Sequence, residues 1–132
     1  RPTAIGLSYP VISAKYGHVD SHNNLLNGYA EAEKAELSRE LNLDERVNKR
    51  TPPAFLWHTA EDACVSPLNS LMYAAALSGQ NIPFEIHIYP NGWHGGATCD
   101  YEINDHAEFL RRNARWIDDC ASFFRLFTKE KF

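Results

Sequence analysis

Two short apolar runs with a well-punctuated helix between them limit most strongly what this chain can fold into. AFLWHT (residues 54–59) and FEIHIYP (84–90) show no sustained polar/apolar alternation, the pattern of strands covered on both faces of a parallel sheet. The segment between them offers Ser66 as N-cap and Pro67 at the first helical position, where a missing N–H costs little. Leu68, Leu71, Met72, Ala75 and Ala76 follow at helical spacing and predict the buried stripe, and Gly79 predicts the stop. Strand, helix and strand in such close succession read as a right-handed crossover between parallel strands.

The rest of the chain fits around this unit. AIGLSYPVI (4–12) is a third strand-like run, close to the first residue. The last helix is predicted over 106–127, with Leu110, Ala114, Ile117, Ala121 and Phe124 as its stripe. Phe109, Trp116, Cys120, Phe123 and Phe127 widen that stripe, so the helix must cover a sheet or a partner. Residues 13–51 are polar: AEAEKAELSRE predicts a charged, weakly amphipathic helix, and SHNNLLNG a turn-rich loop. An insertion of this kind is expected over the sheet's edge as a cap or lid.

Composition narrows the function classes. A net charge of −4 without a Lys/Arg cluster argues against nucleic acid or an anionic membrane as partner. No apolar run approaches the ~20 residues of a membrane span, and the first residues lack the architecture of a signal peptide. Cys64, Cys99 and Cys120 are odd in number and widely spaced, which fits reduced thiols and a cytoplasmic location better than a disulfide framework.

The chemistry-bearing positions lie after the strands. Asp62 comes three residues after AFLWHT and His94 four after FEIHIYP, so both belong at the carboxyl ends of neighbouring strands. Sites of open α/β sheets form on that edge. An Asp accepting the Nδ1–H of a His fixes the tautomer and leaves Nε2 to take a proton from a nucleophile. Gly92, Gly95 and Gly96 allow the tight turns that present His94 from a loop.

LSYPVIS, TPPAFLWHTAEDACVSPLNSLMYAAAL and IPFEIHIYPNGWHGG together resemble the carboxyl-terminal half of an α/β-hydrolase. Within that superfamily the acetyl-esterase and acetylxylan-esterase-like carboxylesterases are most similar, through H-T-x-x-D-x-x-V (58–65) and the H-G at 94–95. The resemblance covers almost the whole chain and is weakest over 13–51. It implies a partial α/β-hydrolase fold over 1–132: the last three, mostly parallel strands with flanking helices, the amino-terminal half absent. It also implies a Ser–Asp–His triad in that chain order, with Asp62 as acid and His94 as base. The implied substrate is a short-chain acyl ester or a carbohydrate acetyl ester, with no cofactor and no metal. One departure is Ser66, standing between Val65 and the Pro that usually follows it.

The expected nucleophile motif, G-x-S-x-G, is missing. Gly6-Leu7-Ser8-Tyr9-Pro10 is its nearest counterpart, but Pro10 follows too soon for a helix to start behind Ser8. The chain is therefore expected to supply the acid and base but not the nucleophile. Other assignments stay open. Glu61 is an alternative acid, and Trp93 either lines a substrate pocket or packs on the last helix. His58, Asp62, His87 and His94 have spacings that suggest a metal, although His58 and His87 fall within strands. Trp57 reads as core, His18, His22 and His106 as surface, and Cys64 and Cys99 as structural thiols. Competing functions are the end of a prolyl-oligopeptidase-type peptidase and a catalytically silent fragment or binding module. Three strands with raw edges also predict dimerisation or association through the exposed sheet edge.

Overall fold

The computed structural model describes residues 1–100, 104 and 108–128. Strands β1 (Ile5–Ser8), β2 (Ala54–Thr59) and β3 (Phe84–Tyr89) form one parallel sheet in that order. In register, Leu7 lies beside Leu56 and Leu56 beside Ile86. All six β2 residues are buried, because this strand is flanked on both sides and covered on both faces. The expected β-α-β unit and three parallel strands with flanking helices are thus present.

Alternation along β2 divides the core in two. Phe55 and Trp57 point to the face packed by Leu110, Phe123 and Tyr89, with Trp116, Cys120 and Phe124 against it. Ala54 and Leu56 point to the other face, where Ile12, Tyr73 and Leu77 close the layer. Gly6 keeps the first layer thin: a Cβ there would meet Cys120 Sγ at 3.3 Å and Phe124 at 3.5 Å.

Helix α3 (Leu68–Gly79) occupies its predicted place, but Pro67 rather than Ser66 stands at its N-cap position; Ser66 Oγ accepts the Leu68 N–H at 3.3 Å from just outside. Its buried face is a different one. Asn69, Ser70, Tyr73, Ala74 and Leu77 face inward, whereas Leu68, Leu71 and Met72 are 50%, 43% and 40% exposed. Buried polar groups with partners cause this reversal. Asn69 Oδ1 accepts the backbone N–H groups of Ile12 and Ser13, and Asn69 Nδ2 donates to Ser66 O. Satisfied polar side chains can be buried at little cost, so the polar face turns in. The left-handed terminator is Asn81 (φ 55°) rather than Gly79, and the Ile82 N–H returns to Leu77 O.

Segment 13–51 holds two helices, α1 (Val19–Leu25) and α2 (Glu31–Glu40). The charged α2 buries no residue and carries a Glu31–Lys34 pair, as its sequence predicts. α1 replaces the expected loop. Burial of His22 and Leu26, four residues apart, overrides the weak helix propensity of its Ser and Asn residues. His22 is accordingly 7% exposed instead of a surface residue. Ser13 Oγ donates to Asn42 Oδ1 and Leu43 N–H to Ile12 O, so the start of the segment is tied to residues 42 and 43.

The last helix is also modified. Its expected start at 106 and 107 lies outside the described residues. Among the described residues of this stretch, Glu108–Arg115 is 3-10 and Trp116–Arg125 (α4) is α-helical. Three residues per turn in the first part shift the wheel relative to a uniform α-helix. Ile117 and Ala121 therefore point outward, while Leu110, Asn113, Trp116 and Phe123 point inward. Trp116 stacks on Trp57 at 5.3 Å.

The two faces of α3 should respond oppositely to truncation. Leu77→Ala removes a side chain with no exposed surface and should cost about 2–5 kcal/mol in urea unfolding. Leu71→Ala should change stability by less than about 0.5 kcal/mol.

Candidate active site

Asp62 follows β2 by one turn, its backbone N–H directed at Thr59 O at 3.4 Å. Its side chain has no exposed surface, so its charge has to be met by donors. Oδ1 accepts the N–H groups of Cys64 (2.9 Å) and Val65 (2.8 Å). Oδ2 faces His94 Nδ1 at 2.8 Å and His58 Nε2 at 3.2 Å. Burial pushes the Asp62 carboxyl up, but the Val65 N–H, the His94 ring and the Cys64 N–H outweigh it. The net pKa lies below the ordinary value, and the group stays ionised.

His94 sits five residues beyond the end of β3, on a loop pinned from several sides. Glu61 Oε1 accepts from Asn91 Nδ2, and Oε2 from the Gly92 N–H. Thr59 Oγ1 donates to Gly92 O, and Asn113 Nδ2 to Asn91 O. Gly92 has φ +138°, and a Cβ there would lie 2.7 Å from Thr59 Cγ2, so the loop can pass only with glycine at this point. Trp116 Nε1 donates to Ala97 O and Asn104 Nδ2 to Gly96 O, which fixes the far side. Tyr9, at φ 38°, meets the His94 ring edge-to-face at 4.8 Å. With Nδ1–H given to Asp62, the His94 Nε2 lone pair is left for another partner, and the side chain is 32% exposed.

The other sequence candidates divide clearly. Asp62 and His94 are in contact, as their placement at neighbouring strand ends suggested. Glu61 holds the 91–92 backbone instead of the imidazole. Ser8 lies within β1, and its Oγ accepts Trp57 Nε1–H at 2.7 Å. Trp93 is 44% exposed. Trp57 is core. His87 pairs with Glu85 on the edge strand, away from His58, and His18 is bonded to Ser21. Among the described residues, no group of three or more His, Cys, Asp or Glu side chains is placed to hold a metal ion. Cys64 is an exposed thiol, and burial pushes the Cys99 thiol up to about 11. His106 lies outside the described residues.

Sequence reasoning missed what supports the pair. Thr59, Glu61, Tyr9 and Asn113 each hold a loop or a ring, and His58 is bonded at both nitrogens. Only the i, i+4 spacing of His58 and Asp62 hinted at this, and it suggested a metal.

A model of the prolyl oligopeptidase family matches residues 7–122. The chain belongs to this family. Its architecture is that of an α/β-hydrolase. Two similar solved structures are an acetyl ester-xyloside bifunctional hydrolase from Caldicellulosiruptor lactoaceticus and a sugar hydrolase from Lactococcus lactis. The first is 36% identical with TM-score 0.71 over 92% of this chain, the second 32% identical with TM-score 0.80 over 96%. A curated relative, endo-1,4-beta-xylanase B of Butyrivibrio fibrisolvens, is 42% identical over 104 residues, 78% of this chain. This family member spans 43% and 49% of the two structures and 16% of the xylanase.

Burial gives the family member a pH signature. The buried imidazole of His58 has a lowered pKa because burial outweighs its Val65 and Asp62 contacts. Between that lowered value and the ordinary 6.5, the unfolded chain binds a proton that folded His58 does not, so stability rises with pH. Stability should therefore fall as pH drops below 6.5. Urea unfolding at several pH values should show a shallower fall in His58→Gln.

Proposed function

We propose that this chain supplies the acid and base of a serine carboxylic-ester hydrolase, with Asp62 orienting His94. The observation that carries this reading is the 2.8 Å contact of a buried, ionised Asp62 with His94 Nδ1, which leaves Nε2 available. In this mechanism Nε2 takes the proton of a serine hydroxyl as its oxygen attacks the ester carbonyl. Asp62 stabilises the resulting imidazolium, which then protonates the leaving alcohol. Water repeats both steps on the acyl-enzyme and frees the acid.

The serine is assigned to a position other than Ser8, whose oxygen is already engaged by Trp57 in the strand. A short acyl ester, such as an acetyl group on carbohydrate, is the substrate class favoured by the likeness to the acetyl ester-xyloside hydrolase. In this reading Trp93, half exposed next to the base, forms part of the acyl or sugar contact. Segment 13–51, anchored at its start to Asn69 of α3 and to Asn42, acts as a cap in this reading.

The test joins residues 1–132 to the remainder of the acetyl ester-xyloside hydrolase in place of the matching part. The chimera should hydrolyse 4-nitrophenyl acetate and take a fluorophosphonate label, whereas residues 1–132 alone should take none. His94→Ala and Asp62→Asn should each lower kcat/KM by about a thousandfold or more. Full activity in His94→Ala would reject the reading. Cleavage of a prolyl peptide anilide in preference to esters would replace it with a peptidase.

A further inference from the structure

His58 is a titratable group with no exposed surface that the proposed reaction does not use. It projects from the α3 side of β2, since alternation places it with Leu56 and opposite Trp57. Both ring nitrogens are partnered. Nε2 lies 2.9 Å from Val65 O and 3.2 Å from Asp62 Oδ2, two acceptors, so this nitrogen carries the proton. Nδ1 then accepts, and Ser70 Oγ at 2.8 Å is its donor. The two acceptors at Nε2 thus select the tautomer, and the Ser70 hydroxyl adapts to it as the donor to Nδ1. Burial lowers the His58 pKa, which keeps the ring neutral.

The acid loop closes on itself through these contacts. The Val65 N–H binds Asp62 Oδ1, while the Val65 carbonyl is held by His58. Without a donor at Nε2, a buried carbonyl and one side of the carboxylate lose their partner. We propose that His58, locked by Ser70, is a positioning residue that holds the Asp62 loop in the geometry in which Oδ2 meets His94. The inference rests on the esterase reading only for the purpose this positioning serves.

The experiment is nitrogen-15 NMR of the imidazoles in the 132-residue chain. The His94 Nδ1–H should appear as a slowly exchanging downfield proton that Asp62→Asn abolishes. His58 should show the neutral Nε2–H tautomer. In His58→Leu the exchange of the His94 Nδ1–H should accelerate about tenfold, the loss expected for one buried hydrogen bond. His58→Gln, whose amide can still donate to Val65 O, should restore most of the protection. Ser70→Ala, which leaves the buried Nδ1 without a donor and so loosens the ring, should give an intermediate rate. Because Ser70→Ala removes a single oxygen, it remains readable if His58→Leu does not fold. Wild-type exchange in Ser70→Ala, or in a folded His58→Leu, would overturn the proposal.

The readout needs neither nucleophile nor turnover, so the two readings can fail separately. A chimera that cannot hydrolyse esters while the His94 signal is intact counts against the esterase alone. An active chimera whose His58→Leu form keeps its kcat counts against the positioning alone.

Discussion

A carboxylate with no exposed surface stays ionised only if donors surround it, and much of the structure around Asp62 is arranged to provide them. Two backbone N–H groups and two imidazole nitrogens converge on Asp62. The N–H groups come from the turn that follows Asp62 itself, so the tight 62–65 loop is a condition for the charge. Oδ1 is satisfied from behind, and Oδ2 meets His94 on the open side. Packing of α3 on β2 is tied to the same point, because the face it turns inward carries Ser70 to the His58 ring.

The opposite wall is built by the other face of the sheet. Thr59, next to His58 in β2 but pointing the other way, donates to the loop that carries His94. Two adjacent residues of one strand thus serve the two halves of the pair, one under the acid and one under the base. Asn113, turned inward by the 3-10 stretch, and Glu61, on the turn after β2, hold the same loop. The site is therefore an outcome of the sheet's alternation together with the helices on both faces.

Strand positions, the parallel crossover and the meeting of Asp62 with His94 were legible in the sequence, because each depends on local pattern or chain order. The inward face of α3 was not. Periodicity counts apolar side chains, and it misses an Asn69 or Ser70 whose partners, Ile12, Ser13 and His58, come from elsewhere. The same blindness hid His58 and Glu61: one read as a strand residue or metal ligand, the other as a rival acid, and each acts through a contact set by the fold. α1 formed against its propensity because two residues found burial. Most of the last helix's stripe packs as predicted, but Ile117 and Ala121 were misplaced because a uniform helical wheel does not describe a chain that begins as 3-10.

The bonding around His58 also decides where a proton can travel. Its Nε2 already carries one, its Nδ1 is occupied by the Ser70 hydroxyl, and Asp62 resists protonation. The interior behind the acid is a dead end rather than a wire. A proton that reaches the outer nitrogen of His94 has no inward exit and must leave through the opening by which it entered. Under the proposed reaction that one-sidedness would suit His94 as a base that returns the same proton to the departing group, and it comes from the contacts of His58 behind it.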